Sequence, residues 1–484
     1  MLSSAARQFV DERWDQDLVA RLSDYIRIPA KSPAFDPAWA AHGHLERVAR
    51  DALAWARTQP VHGLKAEIVA LEGRTPCVFF DAPSTRAGSP PGDRTVLFYG
   101  HLDKQPEMSG WRTGLGPWQP VIHEGRLYGR GAADDGYAVY AALTAIAALD
   151  ASAVPRPRCV GLIETCEESG SFDLPAYLDH LMPLLGQVGL LIGLDSGCGD
   201  YERLWVTTSL RGLIGGVLSV DVLREGVHSG NASGIAPSSF RILRVLLDRI
   251  DDSRTGKLRD PVFQASVPAD RMEQARTAAA VLGDRVWQQF PWARNDHGKG
   301  EAPEERARPV TTDPVEAILN RTWRSTLSVI GAAGLPPLKE AGNVLRPGTE
   351  LKLSIRLPPT VDPERASQRL KQLLEADPPY GARVRFEMDN AGWGWNAPPT
   401  APWLKDALDQ ASTDAYGQAP VWMGEGGAIP FISMLGERFP RAQFVITGVL
   451  GPQSNAHGPN EFLLIPYAKK LTSVVAQVVA QVQD

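Results

Sequence analysis

Along the first thirty residues, apolar side chains recur at Phe9, Val10, Trp14, Leu18, Leu22, Tyr25 and Ile26, and Pro29 closes the run. That spacing predicts a helix over 5–27, and a second is predicted over 38–58. The pattern then turns β-rich in AEIVAL (66–71), CVFFDAP (77–83) and TVLFYG (95–100), with PSTRAGSPPGD as an exposed loop between the last two. After GRLYGRGAADDG (125–136), the apolar run YAVYAALTAIAAL predicts a well-buried helix. A strand at CVGLIET (159–165), a helix at 173–185 and a strand at VGLLIGL (188–194) come next. Strands that alternate with helices predict βαβ units and a mostly parallel sheet.

Near residue 208 the pattern changes. TTSLRGLIGGVLSVDVL (207–223) alternates like a half-exposed strand, and a helix is predicted at 238–250. A charged stretch runs on to about 310, within which RNDHGKGEAPEERARP (294–309) reads as a solvated loop. A strand at 349–359, a helix begun by Asp362 and a strand at 382–390 complete a small α+β pattern. From about 391 the α/β pattern resumes, with a helix at 402–416, the strand QFVITGVL (443–450) and a final helix at 465–482. The expected fold class is α/β: a mostly parallel sheet domain made of 1–207 and 389–484, interrupted by an inserted α+β domain at 208–388.

Chain length agrees, since 484 residues exceed what one core ordinarily serves. The net charge of −6 gives no support to a nucleic-acid or anionic-membrane partner. No run of about 18 apolar residues is present, so no membrane span is expected. The N-terminus, MLSSAARQFVDERWDQ, shows no apolar signal region. Cys77, Cys159, Cys166 and Cys198 are scattered without a CxxC pair, which predicts reduced thiols and a cytoplasmic location.

Several strands end in residues able to hold a metal. TVLFYG delivers His101 and Asp103, CVGLIET delivers Glu167 and Glu168, VGLLIGL delivers Asp195, and QFVITGVL is followed within seven residues by His457. The Gly-rich turn before the buried helix adds Asp134 and Asp135. Any one of these could be a cap or a surface group. Together, at the carboxyl ends of strands where α/β ligands gather, they point to a catalytic site. Oxygen and nitrogen donors without sulfur suit Zn²⁺, Mn²⁺ or Co²⁺ in an incompletely filled coordination sphere.

GHLDKQPE, GRGAADDG, ETCEESGS, LDSG, the HSG of REGVHSG, KLSIRL, GEGGAIP and NAHGPNE occur in that order. In order and spacing they resemble the co-catalytic zinc peptidases typified by carnosinases, cytosolic dipeptidases, aminoacylases and glutamate carboxypeptidases. The resemblance spans nearly the whole chain, and it implies two divalent ions per subunit, zinc first with Mn or Co as alternatives. Asp134 would bridge the ions, with His101 and Asp195 on one and Glu168 and His457 on the other. Asp103 would support His101, and Glu167 would act as general base for a water activated between the two ions.

By the same resemblance the inserted domain is a lid and dimerisation domain. Its His228 would reach the other subunit's site in a homodimer and hydrogen-bond the oxyanion. Arg356 would grip a free substrate carboxylate, Asn343 would add a polar contact, and Gly426 and Gly427 would let backbone approach the substrate. The implied activity is cleavage of the amide bond next to a free C-terminal carboxylate in dipeptides or small peptides. Hydrolysis of N-acyl or N-carbamoyl amino acids is the alternative, and a catalytically silent metal-binding scaffold the alternative of another class. Three positions depart from the family pattern: Gly136 where relatives often carry Lys, Ala428 where dipeptidase-like members often carry Ser, and Cys166 directly before the base.

Overall fold

Ser4 to Ile26 form one continuous helical stretch that tightens and loosens along its length. Helix Ser4–Arg13 is capped by the Ser3 side chain, which accepts from the Ala6 N–H. A π turn at Trp14–Leu18 follows, and helix Val19–Ile26 completes it. Every apolar position of the predicted stripe is buried, from Val10 and Trp14 to Tyr25 and Ile26, except the half-exposed Phe9. The second predicted helix is broken. Gly43 takes φ +66° and separates Trp39–His42 from His44–Ala56. The computed structural model describes residues 2–88, 94–293, 306–389, 391–427 and 429–483. Most of the loop expected at 294–309, and Ala428, lie outside the described residues.

The chain folds as two units, one made of Met1–Thr208, Ala397–Met423 and Pro430–Asp484, the other of Ser209–Asn396 and Gly424–Ile429. In the first, strands run in the order Lys65–Val69, Cys77–Ala82, Cys159–Glu164, Thr95–His101, Val188–Gly193, Gln443–Ile446 and Trp205–Leu210. The four central strands of that series are parallel, while both flanks join antiparallel. Thr95–His101 is buried at every residue, as a central parallel strand covered on both faces must be. Helix Ala138–Ala151 packs against that strand; it is rich in Ala, and all but its last two residues are buried.

The second unit holds a four-stranded antiparallel sheet in the order Thr326–Ala333, Gly348–Leu357, Gly212–Asp221 and Arg383–Met388. Leu351, Leu353, Ile355 and Leu357 alternate onto the face covered by helices Ser239–Ile250 and Pro363–Glu375. Asp362 caps the latter, accepting from the Glu364 and Arg365 N–H groups. Three sequence expectations are corrected here. The single strand expected at 207–223 is two, Trp205–Leu210 and Gly212–Asp221, parted at Arg211. The inserted unit runs from Ser209 to Asn396 rather than from 208 to 388, and so takes in the last two residues of Trp205–Leu210 together with Trp395 and Asn396, which pair with them. It also takes in 424–429, where Gly424 packs on Ser209 and Thr322.

Candidate metal centre

The parallel strands all present their carboxyl ends on one side, and the ligand-type residues collect there. His101 is the last residue of its strand. A side chain at Gly100 would bring its Cβ within 2.7 Å of Ala138 Cβ and 2.9 Å of Asp135 Oδ2, so glycine lets the following helix close onto the strand. Glu167 and Glu168 open the turn Glu167–Ser169 beyond Cys159–Glu164, and Asp195 stands two residues past Val188–Gly193.

Asp134 joins the two histidines. One of its oxygens lies 3.3 Å from His101 Nε2, and the other lies 3.0 Å from His457 Nε2. His101 Nε2 also faces Asp195 at 3.8 Å, and His457 Nε2 faces Glu168 at 3.3 Å. Two donor groups result, His101–Glu167–Asp195 and Asp134–Glu168–His457, each with its ligand atoms within 4.8 Å of one another.

The electrostatics of this cluster call for cations. Burial, then the Asp195 charge, raises Glu167 well above the usual carboxylate range, and burial with Asp134 does the same to Glu168. Asp195 is pushed up to about 7 by burial and by Asp134. Burial opposes charge on Asp134 too, yet its bonds to His101 and His457 hold it below the usual range. His457 is pushed up to about 9, because Asp134 and Glu168 outweigh the burial that works against its charge. His101 Nε2 is buried and faces two carboxylates at once, Asp134 and Asp195. Four carboxylates and two imidazoles arranged this way fit a pair of divalent cations. None of the four free, buried cysteines belongs to either group.

Asp103 carries two duties. Its carbonyl lies 3.1 Å from His101 Nδ1 and its carboxylate 3.5 Å from the same nitrogen, in line with support for that imidazole. The carboxylate also accepts the backbone N–H groups of Glu167 (3.1 Å) and Glu168 (2.9 Å), fixing the turn that carries both acids. Several neighbours escaped the sequence analysis. Gln105 Nε2 donates to Glu168 Oε2 at 2.5 Å. Glu164, fully buried at the strand end, accepts from Tyr99 Oη (2.5 Å) and Ser171 Oγ (2.9 Å), and burial pushes it up to about 7. Arg130 and Glu461 form a buried ion pair beside Asp134. Gln105 and Glu461 lie inside the quoted motifs, but nothing in local spacing marks their partners.

Two of the departures acquire a physical account. A Cβ at Gly136 would stand 2.1 Å from Tyr25 Cε1, so the tyrosine ring fills that space. Lys104, fully buried, places its ammonium 3.8 Å from the centre of the same ring and donates to the carbonyls of Tyr25 (2.7 Å) and Ile28 (2.8 Å). Cys166 Sγ donates to Glu164 Oε2 at 3.4 Å, and so belongs to the packing under the acids.

In the second unit, His228 is exposed on the strand Val227–His228, which pairs with Val344–Leu345. Ser229 N–H donates to the carbonyl of Asn343 at 2.9 Å, so His228 and Asn343 share one small ribbon. Arg356 is half-buried in its sheet, opposite Thr326 on one side and Leu213 on the other. Gly426 is pressed close: a Cβ there would lie 3.0 Å from Arg321 and 3.3 Å from Arg211, whose Nε donates to the Gly426 carbonyl at 3.1 Å. At Gly427 a Cβ would meet nothing.

A sequence model of peptidase family M20/M25/M40 matches residues 97–481. The Cysteinylglycine-S-conjugate dipeptidase of Corynebacterium striatum is 26% identical over 379 residues, covering 77% of this chain and 78% of that protein. The Cys-Gly metallodipeptidase of Saccharomyces cerevisiae is 28% identical over 367 residues, with 72% and 70% covered. The Beta-Ala-His dipeptidase of Homo sapiens is 27% identical over 367 residues, with 72% and 67% covered. Among solved structures, the dipeptidase Dug1p of Saccharomyces cerevisiae superposes with a TM-score of 0.75 at 21% identity, over 100% of both chains. Human carnosine dipeptidase 1 gives 0.73 at 21%, over 98% of both, and the fold is shared.

Proposed function

The chain belongs to peptidase family M20/M25/M40, and from that premise we propose that it is a two-metal dipeptidase, cleaving the amide bond next to a free C-terminal carboxylate in dipeptides or small peptides. The observation that carries this reading is Asp134, with one oxygen toward each of two histidines and a carboxylate group behind each. In this reading His101 and Asp195 would hold one ion and Glu168 and His457 the other, with Asp134 contributing to both. Oxygen and nitrogen donors favour zinc, with manganese or cobalt as alternatives. Two divalent ions held there would supply Lewis acidity, the chemistry that lowers the pKa of a water and polarises a carbonyl.

The residues of the chain do the rest. Glu167, whose backbone Asp103 fixes, takes the proton of the attacking water and hands it to the leaving amine. Its carboxylate also lies within ligand reach of His101 and Asp195, so metal content is the measurement that separates base from ligand. Arg356 would receive the substrate carboxylate through its fork, with Asn343 as a further polar contact and Gly426 and Gly427 as backbone that substrate can approach. His228, exposed on its ribbon, would donate to the oxyanion in the other subunit of a homodimer built through the inserted unit. A cytoplasmic location is supported by four free, buried thiols. Among the described residues no helix is long and apolar enough to cross a membrane.

The test is a panel of Ala-X dipeptides against N-acetyl and N-carbamoyl amino acids, with metal-free protein reconstituted by Zn²⁺, Mn²⁺ or Co²⁺. Turnover of the dipeptides is expected. Turnover of the acylated amino acids alone would replace the dipeptidase by an aminoacylase-like enzyme. Silence across the panel with metal bound would make the protein a scaffold.

A further inference from the structure

Arg130 and Glu461 are 1% and 0% exposed, and they meet at 2.8 Å. Each uses its remaining capacity on the backbone of a ligand loop. Glu461 Oε1 accepts the N–H groups of Gly131 (3.0 Å), Ala133 (3.2 Å) and Asp134 (3.4 Å), the whole inner edge of the turn that carries Asp134. Arg130 donates through Nη2 to the carbonyl of Gly458 (2.8 Å), next to His457, and through Nε to that of Pro106 (3.2 Å). The pairing of Arg126–Tyr128 with Phe462–Leu464 continues into it, with Gly129 N–H donating to the Glu461 carbonyl at 3.0 Å.

The His457 loop needs such a brace. Gln453, Asn455, His457 and Asn460 all take positive φ, between +53° and +65°, a region disfavoured for residues with a Cβ. His457 itself is more than half exposed, so packing does not hold its ring. His101, by contrast, ends a buried strand and owes its place to the sheet.

We propose that the Arg130–Glu461 pair is a clasp that positions Asp134 and His457 together, and so bears more heavily on the ion that Glu168 and His457 would hold than on its neighbour, which shares only Asp134 with it. It rests on the two-ion reading above. Neither residue touches a ligand side chain; both act on the backbone that presents one. Asp134 and His457 belong to the group with Glu168, and the clasp holds two of its three members. Among the described residues no member of His101–Glu167–Asp195 takes a bond from it, and the clasp reaches that group only through Asp134 and through the Pro106 carbonyl, five residues past His101.

Stepwise titration of metal-free full-length protein with Co²⁺, followed by visible absorption and by metal content after dialysis, tests this. Wild-type protein should take two ions per chain. Glu461→Gln breaks the ion pair yet can still accept N–H groups, and should weaken one ion by ~10- to 100-fold and the other, which shares Asp134, by clearly less, as loss of a partner behind a ligand does. Arg130→Lys, which cannot span the Glu461, Gly458 and Pro106 acceptors at once, should do the same at unchanged circular dichroism. Equal weakening of both ions, or two unchanged affinities in both variants, would overturn the clasp. A wild-type protein that binds a single ion would instead overturn the two-ion reading.

Discussion

The two units hold their chemistry in opposite ways. In the first, six ligand-type side chains from five separate segments gather into two groups whose ligand atoms lie within 4.8 Å of one another, with His101, Asp134 and Asp195 buried, at the ends of parallel strands. In the second, His228 and Asn343 ride an exposed two-stranded ribbon, and Arg356 stands on the sheet face away from the apolar core. A site that must hold like charges together needs a rigid, water-poor frame, and a parallel sheet supplies one. Groups that meet a substrate only when it arrives need reach and solvent instead. Under the proposed function, bond cleavage falls to the first unit and recognition to the second.

The sharpest way to break it is Glu167→Gln. Loss of the base should cut kcat by ~10²- to 10⁴-fold with the fold and both ions retained. A variant that loses an ion as well would make Glu167 a ligand, and near-normal turnover would remove it from the chemistry altogether. On the other side, His228→Ala should cut kcat by roughly 10²-fold. Mixed with Glu167→Gln protein it should recover part of that activity in hybrid dimers, and no recovery would count against a shared site. Arg356→Lys, the gentlest of the three, should raise KM by about 10-fold for peptides with a free C-terminus and leave their amides little changed, since the lost fork is worth about 1.4 kcal/mol. Equal effects on both would place the carboxylate elsewhere.

A smaller effect probes the frame beneath the first site. Glu164 titrates at about 7 in the folded chain against an ordinary 4.5, so the folded state holds the extra proton between those values. Stability should therefore fall as pH rises from 4.5 to 7, by up to about 3 kcal/mol, and the fall should shrink in Glu164→Gln. Identical pH profiles for the two proteins would mean that Glu164 is ionised at low pH like any exposed acid.

What the sequence made legible follows the same division. Ligands at strand ends carry a local signature, an apolar run, a Gly and then a polar pair, and the structure brings His101, Asp134, Glu167, Glu168, Asp195 and His457 together. Supports that act across the chain carry none: Arg130 and Glu461 lie 331 residues apart, and each looks like surface charge in its own neighbourhood. Lys104 carries no such signature either, since its ammonium is satisfied by carbonyls rather than by an acid. The strand Thr326–Ala333 passed unnoticed because it is a sheet edge with little buried side chain to alternate. The Arg211 break was hidden because the polar–apolar alternation runs through it.

The contact between Tyr25 and Gly136 reaches beyond the site. The family match starts at residue 97, yet Tyr25, far upstream, fills the space beside the Asp134–Asp135 turn and donates its hydroxyl to the Leu102 carbonyl. The N-terminal helix thus packs beside the Asp134–Asp135 turn from outside the stretch that the family model matches. Protein trimmed to the matched stretch would keep every ligand-type residue and lose the ring that fills the space beside Gly136.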